Sequence, residues 1–344
     1  MISSLPVPDV RKLMAVACAA VALNACSTRP TAPAERSSKP VVETTVQRSK
    51  DFVVLKASRG DTAATLARRY LDDAEKYWVI EDFNNTKNFA PGQEVVIPLG
   101  LPNPVGVYAT GYQTVPILCY HRFGSDTSKM VVAPDDFVRQ MEYLAQHDYR
   151  VIRMSDLIEF LQGKRMLPKR AVVVTMDDGY KSTYQHAFPT LRRFGFPATI
   201  FVYSDYINSR EGLNWKEMQE MVASGLVDIQ PHSKTHSNLG FAQPDEDEAA
   251  YQQRIQAEIQ VPLNDISKNL DILVHTFAYP YGDTNKDVID QLKQRDYRLA
   301  VTVQPGGNAA FAYPYMLQRS MVFGDQDLDA FARHLDVFEG MDLR

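Results

Sequence analysis

Between residues 114 and 344, short runs of apolar, β-branched residues alternate with segments whose apolar residues recur at helical spacing. Strands that are apolar along their whole length belong in a parallel sheet whose outer face is covered by helices. Seven or eight such units predict an α/β fold, a distorted (β/α) barrel. The predicted strands are Val115 to Tyr120, Arg150 to Ile152, Ala171 to Met176, Ala198 to Val202, Val227 to Gln230, Thr276 to Tyr279, Leu299 to Val303 and Arg319 to Val322.

One predicted helix is much longer than the others. It covers residues 245 to 270, where isoleucines and leucines recur about four residues apart. Pro262 lies within it, and a proline lacks the N–H that an interior helical hydrogen bond needs. The sequence therefore predicts an interruption of this helix near Pro262.

The composition is that of an ordinary globular protein. The chain has 344 residues, a formal net charge of −5 and three cysteines, enough length for about two domains that bury a core without disulfides. The mild acidity provides no basic surface for nucleic acid, so no nucleic-acid partner is expected. The sequence carries no signal for an oligomeric state.

The N-terminal segment predicts export. Residues 1 to 25 include an apolar run from Leu13 to Leu23, too short to span a bilayer and typical of a signal peptide. The run leads into Cys26 in a context that resembles a bacterial lipobox, which implies a lipidated cysteine; cleavage after Ala25 without lipidation is the alternative. Residues 26 to 50, rich in Pro, Ser and Thr, then form a disordered tether. We expect a cell-envelope lipoprotein held by its lipid anchor to the outer membrane, facing the periplasm.

A small module is predicted over residues 51 to 99, with the element order strand, helix, helix, strand. Gly60-Asp61-Thr62 opens its first helix, an asparagine follows the second, and Pro91-Gly92-Gln93 precedes the last strand. In these marks it resembles a lysin-motif (LysM) domain. The resemblance implies a βααβ fold that binds N-acetylglucosamine-containing chains; a packing module that has lost its groove is the alternative. Residues 100 to 113 are predicted to be a linker.

Two adjacent carboxylates, Asp177 and Asp178, follow a predicted barrel strand and precede Gly179. A tight turn is the simplest interpretation of such a sequence. Adjacent carboxylates also suit hydrolytic chemistry, because one can bind a divalent cation while the other acts as a base.

Two histidines, His232 and His236, follow the next strand but one. A spacing of four places both imidazoles on one face of a helical turn, where they can converge on a metal ion. With Asp178 they make a His, His, Asp set, which is a common open site for a hydrolytic metal. A chance pair on a solvated helix is the alternative.

Two further strand ends carry candidate groups. His121 follows the first barrel strand, and Tyr281 lies in the glycine-bearing turn after the strand that begins at Thr276. The Tyr281 backbone N–H could hold an oxyanion. The carboxyl ends of parallel barrel strands share one face, and that face carries the active sites of such barrels. All four motifs are therefore expected at one mouth.

These motifs resemble the polysaccharide deacetylase family, also called carbohydrate esterase family four. Its T-F-D-D-G motif corresponds to residues 175 to 179, and its H-S/T-x-x-H motif to residues 232 to 236. The resemblance implies that Asp177 is the general base, and that Asp178 and the two histidines bind a divalent metal, commonly zinc. Cobalt, nickel and iron also accept this ligand set.

The chain departs from the family pattern twice. The R-x-P-Y motif reads Ala278-Tyr279-Pro280-Tyr281, without its arginine, and we hypothesise that Arg319 replaces it. The late Leu-x-His motif, which supplies the general acid, is absent. In the subgroup that deacetylates biofilm poly-N-acetylglucosamine a Tyr-His motif takes this role, so His121 is the predicted acid and His275 the alternative.

The predicted function is the hydrolysis of N-acetyl groups from N-acetylhexosamine residues of a polysaccharide, either peptidoglycan or an exopolysaccharide. A catalytically silent glycan-binding lipoprotein and an amidase or esterase acting on a non-sugar acyl group are the alternatives. Aromatic side chains near the motifs are candidates for stacking on sugar rings or for plain packing. They are Tyr180, Tyr184, Tyr279, Tyr281 and Trp215.

Overall fold

The computed structural model describes residues 45–100 and 103–343. The predicted signal peptide, the lipidation site and most of the predicted tether lie outside the described residues. Within the described ranges, no helix combines the length and apolarity that crossing a bilayer requires.

The N-terminal module is a three-stranded antiparallel sheet in the order β1-β2-β3, packed against two helices. Its core consists of side chains such as Val53, Leu66 and Ile80, which are fully buried. The first helix begins at Thr62, whose hydroxyl accepts a hydrogen bond from the Thr65 N–H at 3.1 Å. The elements are β1 Thr45–Arg48, β2 Phe52–Lys56, α1 Ala63–Tyr70, α2 Tyr77–Asn84 and β3 Glu94–Pro98, with a 3₁₀ turn at Ala74–Lys76.

The module includes a strand that the sequence analysis assigned to the disordered tether. Thr45–Arg48 forms β1, which pairs with β2, so the tether prediction is wrong for these residues. All four side chains are exposed. The strand is held by its backbone pairing and therefore shows no alternation of apolar and polar residues in the sequence.

The larger part of the chain is a (β/α)-barrel-like fold, as predicted. Seven parallel strands follow one another around it in the order β6, β10, β11, β12, β13, β14 and β16, and β16 returns to β6. A parallel bridge between Val301 and Leu317 connects β14 to the chain that leads into β16. The strand predicted from Arg150 is present but short: β9 has two residues and pairs in parallel with the beginning of β10, outside the ring.

The ring has a seam between β12 and β13, where a side chain replaces the backbone ladder. The Gln230 side-chain amide donates to the Leu273 carbonyl at 3.0 Å, and its oxygen accepts from the N–H groups of His275 and Thr276, both at 3.0 Å. Gln230 is fully buried, so these bonds satisfy groups that have no access to water. The seam makes the barrel distorted.

The strand bounds agree closely with the apolar runs in the sequence. Every residue of β6, β10 and β11 is buried, as expected for a parallel sheet covered by helices. The strands of this part are β4 Val107–Tyr108, β5 Gly111–Gln113, β6 Val115–Tyr120, β7 Arg122–Phe123, β8 Val131–Val132, β9 Arg150–Val151, β10 Ala171–Met176, β11 Ala198–Val202, β12 Val227–Pro231, β13 Thr276–Ala278, β14 Leu299–Val301, β15 Gly307–Asn308, β16 Ser320–Met321 and β17 Phe338–Gly340.

The helices pack on the outside of the strands. The predicted interruption at Pro262 is wrong, because α7 is continuous across it. Pro262 is buried on the same face as Ile255, Ile259 and Ile266, and the packing of that face outweighs one missing backbone hydrogen bond. The helices are α3 Pro134–Gln146, α4 Met154–Leu161, α5 Phe188–Phe194, α6 Trp215–Ala223, α7 Glu248–Leu270, α8 Lys286–Lys293 and α9 Leu328–Ala332, with 3₁₀ turns at Ser204–Tyr206 and Pro280–Gly282 and a π turn at Thr183–Ala187.

The predicted linker, residues 100 to 113, also differs from expectation. Its second half contains β4 and β5, which form a three-stranded antiparallel sheet with β17 near the end of the chain. Each of these strands has only two or three residues, too few to show an alternating pattern in the sequence. Their pairing joins distant segments, so the local sequence does not reveal it either.

The module contacts the barrel at the amino-terminal end of β10. Arg150 forms an ion pair with Glu81 and donates a hydrogen bond to the Tyr77 hydroxyl at 2.6 Å. The Lys169 N–H donates to the Asp82 carboxylate at 3.0 Å. These contacts lie at the end of the strand opposite to Asp177 and Asp178.

Candidate metal centre and active site

Side chains from separate strand ends meet at one mouth of the barrel. β6 leads into His121, β10 into the Asp177-Asp178 pair, and β12 into the loop that carries His232 and His236. These strands are parallel neighbours, so their carboxyl ends lie side by side.

Asp178, His232 and His236 form a compact ligand cluster. Asp178 Oδ1 lies 3.5 Å from His232 Nε2 and 3.2 Å from His236 Nε2. One potential ligand atom from each residue lies within 4.8 Å of the other two. His232 is almost fully buried, whereas His236 remains partly accessible from the mouth.

This cluster fits a divalent metal ion. Zinc bonds to nitrogen and oxygen are about 2.0–2.2 Å long, which holds tetrahedral ligand atoms about 3.3 Å apart. The distances between Asp178 Oδ1 and the two imidazole nitrogens match that separation. Asp178 Oδ1 is also buried without a hydrogen-bond partner, although an unpaired buried carboxylate oxygen is costly. A cation between the three side chains would satisfy it.

The orientation of His232 is fixed by the protein. Its Nδ1 lies 2.8 Å from the Ala278 carbonyl oxygen. Nδ1 must carry the proton to donate this bond, which leaves the Nε2 lone pair directed towards Asp178. Burial lowers the pKa of His232, so its imidazole is neutral at pH 7, the form that binds metals.

The charges of Asp178 and His236 support each other. Burial acts to raise the pKa of Asp178, but the His236 and His232 imidazoles outweigh it, and the pKa lies below its ordinary value. Burial acts to lower the pKa of His236, but the neighbouring Asp178 carboxylate outweighs it, and the pKa is raised. Asp178 is therefore ionised at neutral pH.

The two histidines do not lie on a helical turn, which corrects the sequence analysis. Residues 232 to 236 form an irregular loop after β12, in which Ser233 and His236 have positive φ angles of 70° and 62°. The Ser233 hydroxyl accepts a hydrogen bond from the His236 N–H at 2.9 Å. The imidazoles converge through loop geometry, although their spacing of four suggested a helix.

Asp177 lies beside the cluster and is bound by Arg319. Two parallel hydrogen bonds of 2.7 Å join the guanidinium to both carboxylate oxygens. Both side chains are buried, and Arg319 Nε also donates to the Thr302 carbonyl at 2.7 Å. Burial acts to raise the pKa of Asp177, but the Arg319 charge outweighs it and holds the pKa well below its usual range. The structure thus places Arg319, the hypothesised replacement for the missing motif arginine, against Asp177.

His121 lies close to Asp177. An imidazole nitrogen of His121, the Cys119 sulfur and an Asp177 carboxylate oxygen lie within 4.8 Å of one another. Cys119 is a buried, free thiol whose sulfur lies 3.5 Å from Asp177 Oδ2. His275, the alternative acid, lies at the amino-terminal end of β13, where its Nδ1 faces the Leu273 carbonyl at 3.0 Å. The ligand clusters at the mouth do not include it.

The turn after β13 exposes Tyr281 at the mouth. Tyr281 has φ 62° and ψ 1°, and its ring lies 4.9 Å from the His236 ring. Gly282 follows with φ 77°, and an added Cβ there would lie 2.6 Å from a methyl carbon of Val303. Two consecutive left-handed residues fold the turn back over the strand end, and a glycine is required at the second.

Tyrosines form part of the rim. Burial and the nearby Asp178 carboxylate raise the pKa values of Tyr180 and Tyr203 to about 12, so both hydroxyls keep their protons at neutral pH. Tyr203 also stacks on Tyr206, with ring centroids 5.0 Å apart. A polar tip on an apolar ring suits contact with a sugar.

Three of the candidate aromatic residues pack or form hydrogen bonds within the protein. Tyr279 is fully buried and donates to the Tyr315 carbonyl at 3.0 Å. Tyr184 donates to the Glu220 carboxylate at 2.7 Å, away from the cluster, and Trp215 packs against the barrel core. Their rings stabilise the helices around the barrel.

Two residues at the mouth were not singled out from the sequence. Tyr203 directly follows β11, so the strand-end rule that selected His121 would also have found it. Glu258, on α7, contacts the histidine loop and is 3% exposed. It lies on the helix face formed by Ile255, Ile259 and Pro262. A charged residue on an otherwise apolar helix face was the sequence feature that could have identified it.

Comparison with known proteins gives one family and several relatives. Residues 164–300 match the family model described as polysaccharide deacetylase. The matched segment contains Asp177, Asp178, His232 and His236, and it excludes His121 and Arg319. The poly-β-1,6-N-acetyl-D-glucosamine N-deacetylase of Staphylococcus epidermidis is 27% identical over 216 residues, covering 61% of this chain and 73% of the relative.

Solved structures share the fold. The structure of IcaB from Ammonifex degensii is 25% identical with a TM-score of 0.56, covering 62% of this chain and 93% of that chain. The deacetylase PplD of Streptococcus pyogenes, solved in complex with acetate, is 23% identical with a TM-score of 0.59, covering 66% of this chain and all of that one.

Proposed function

We propose that the chain is a polysaccharide deacetylase, which its similarity to that family model and to named deacetylases supports. It would remove N-acetyl groups from N-acetylglucosamine residues of an extracellular or cell-envelope polysaccharide with the help of a divalent metal. One observation carries the proposal. Asp178 Oδ1 is buried without a partner, 3.5 and 3.2 Å from two imidazole nitrogens, beside a second carboxylate. This arrangement suits metal-assisted hydrolysis of an amide.

Asp178, His232 and His236 would hold the metal, and zinc suits this donor set. The bound metal would supply a Lewis acid for the acetyl carbonyl and lower the pKa of a water molecule towards about 7. Asp177 is placed to accept a proton from a water molecule as the water oxygen forms a bond to the acetyl carbonyl carbon. Arg319 fixes the direction of the Asp177 carboxylate through its two 2.7 Å bonds.

The remaining steps break the amide bond. The Tyr281 backbone N–H donates a hydrogen bond to the developing oxyanion, an interaction whose removal typically costs about 2.7–4 kcal/mol of barrier. His121, in its protonated form, donates a proton to the departing nitrogen as the carbon–nitrogen bond breaks. Acetate and a free amine on the sugar are the products.

A poly-β-1,6-linked N-acetylglucosamine chain is the first substrate to test. The Staphylococcus epidermidis relative bears the name of this activity, and the match covers most of that protein. The exposed Tyr281 ring, with Tyr180 and Tyr203 at the rim, offers apolar faces and neutral hydroxyls to an uncharged sugar. Peptidoglycan is the second substrate to test.

The module over residues 45–100 would bind N-acetylglucosamine-containing chains as a LysM-like domain. Its two helices between β2 and β3, its Gly60-Asp61-Thr62 start and its Pro91-Gly92-Gln93 turn support this assignment. The predicted export signal and the lipobox-like context of Cys26 point to the same location as this module. Together they support a lipid-anchored enzyme of the cell envelope that acts on periplasmic or secreted glycan.

Acetate release from poly-β-1,6-N-acetylglucosamine, from peptidoglycan and from a non-sugar N-acetyl amide tests the proposal. The native protein should release acetate from a glycan, lose the activity after treatment with a chelator and regain it with Zn²⁺. Asp178→Asn, which keeps the shape but removes a ligand charge, should stay inactive after zinc is added. Activity that survives complete metal removal, or release from the non-sugar amide alone, would overturn the proposal.

A further inference from the structure

The loop that carries both histidines has an unfavourable backbone. Ser233 and His236 both have positive φ angles, and neither is a glycine. Residues other than glycine are strained in this region and persist there only where the surroundings impose it. The loop after β12 therefore requires support from another part of the fold.

The support comes from Glu258 on α7. Glu258 Oε2 accepts hydrogen bonds from the backbone N–H groups of Lys234 and Thr235, both at 2.9 Å. Glu258 Oε1 accepts a third from the Thr235 hydroxyl at 2.6 Å. The three donors all lie between His232 and His236, so one carboxylate binds the middle of the loop.

Glu258 is itself held rigidly. It is 3% exposed and lies on the buried face of a 23-residue helix, between Ile255 and Ile259, which are part of the main core. A carboxylate has only acceptors, which match the three donors that the loop presents to it. The backbone N–H groups of Ser204 and Asp205 also donate to the Ser233 and Lys234 carbonyls, at 3.2 and 2.9 Å, and hold one edge of the loop. The side-chain pair of Lys234 and Asp205, at 2.7 Å, is exposed and contributes little.

We propose that Glu258 is a positioning residue for the metal site, holding the 232–236 loop in the shape that directs both imidazoles at Asp178 before any metal binds. This inference rests on the proposed metal-dependent function. Glu258 does not touch the metal or the substrate in this role. It acts through Lys234 and Thr235 on the histidines at either end of the loop. In other metal sites, residues that hydrogen-bond to the ligands orient them in the same way.

Zinc affinity of the full chain tests the proposal without relying on turnover. The metal-free protein is titrated with Zn²⁺ against a chelating indicator, and the absorption spectrum with Co²⁺ reports the geometry of the site. Glu258→Ala should bind Zn²⁺ about 10–100-fold more weakly, the usual effect of removing such a group. Its cobalt spectrum should also change.

The conservative variant Glu258→Gln separates positioning from general destabilisation. Its amide oxygen can still accept from the two backbone N–H groups, and its NH₂ group can donate to the Thr235 hydroxyl. We therefore expect its zinc affinity to remain within about threefold of that of the native protein. Thr235→Val, which removes one bond of three, should lie between the two variants and should cause no further loss when combined with Glu258→Ala.

Ile266→Val is the matched control, because it destabilises the same helix without touching the loop. Its zinc affinity should equal that of the native protein. The inference is overturned if the native chain binds Zn²⁺ and Glu258→Ala binds it equally well, or if Ile266→Val weakens binding as much. If Glu258→Ala does not fold, unchanged affinity in Thr235→Val overturns it. If the native chain binds no divalent metal, both the proposed function and this inference are overturned.

Discussion

Two arginine–carboxylate pairs lie at opposite ends of β10, and they differ in their exposure to water. Arg319 and Asp177, at the mouth, have side chains that are 0% and 2% exposed. Arg150 and Glu81, where the module meets the barrel, have side chains that are 22% and 13% exposed. The same type of ion pair is therefore shielded from water at one end of β10 and partly hydrated at the other.

This difference in exposure determines how much stability the protein loses when one ion pair is broken. Removing one partner of a buried pair leaves the other charge buried and uncompensated, whereas water can solvate the survivor of a partly exposed pair. The pair at the mouth orients the proposed base, and the outer pair joins two parts of the chain. The following experiments test this contrast.

Arg319→Met should have the largest effect. It leaves the Asp177 carboxylate buried without its partner, so the free energy of unfolding should fall by about 3–5 kcal/mol. Chemical denaturation measures this change, and acetate release should fall as well because the base loses its orientation. The double variant Asp177→Asn with Arg319→Met removes both charges and should regain much of the stability. Equal stability of the single and double variants would contradict the contrast.

His121→Ala tests the proposed acid at the mouth. Loss of a general acid typically reduces turnover about 10²–10⁴-fold, and binding of the glycan should change much less. His275→Ala is the matched control, since that histidine faces the Leu273 carbonyl at the amino-terminal end of β13. A kcat that falls for His275→Ala and stays unchanged for His121→Ala would reverse the assignment.

The zinc affinity of the metal cluster should depend on pH. Asp178 raises the pKa of His236 above its ordinary value of 6.5, and metal binding must displace that proton. Apparent zinc affinity should therefore fall about tenfold per pH unit once the pH is below this raised pKa. Chelator competition between about pH 8 and 6 measures it. Affinity that stays flat over this range would show that no proton is displaced.

Arg150→Ala should have the smallest effect. The pair with Glu81 is partly hydrated, so loss of this pair together with the hydrogen bond to Tyr77 should cost about 1–2 kcal/mol. The free energy of unfolding should fall by that amount, and the difference from the native protein should shrink as salt screens the pair. Amide hydrogen exchange in α2 reports whether the module contact loosens. A loss as large as that of Arg319→Met would show that exposure does not distinguish the two pairs.

Much of the barrel could be predicted because its strands are apolar on both faces. The runs at Ala171 and Ala198 match the bounds of β10 and β11, since burial on both faces leaves a signal within the strand itself. Pairings between distant segments leave no such signal. Thr45–Arg48 and the β4-β5-β17 sheet were missed or misassigned for this reason.

The candidate site was predicted in part. Asp177, Asp178, His232 and His236 stand at strand ends in recognisable spacings, and the fold brings them to one mouth. The helical interpretation of the histidine pair was wrong because a spacing of four does not specify backbone conformation. Glu258 was missed because its contact with the loop depends on how α7 packs beside β12.

The sequence by itself determined the order of strands and helices and the residue types at the strand ends, because both are local properties of the chain. Only the tertiary structure decided which side chains touch: the Arg319 bonds to Asp177, the orphaned Asp178 oxygen between two imidazoles, and the Glu258 support of the histidine loop. These contacts join residues far apart in sequence, and their energies depend on burial, which exists only once the chain has folded.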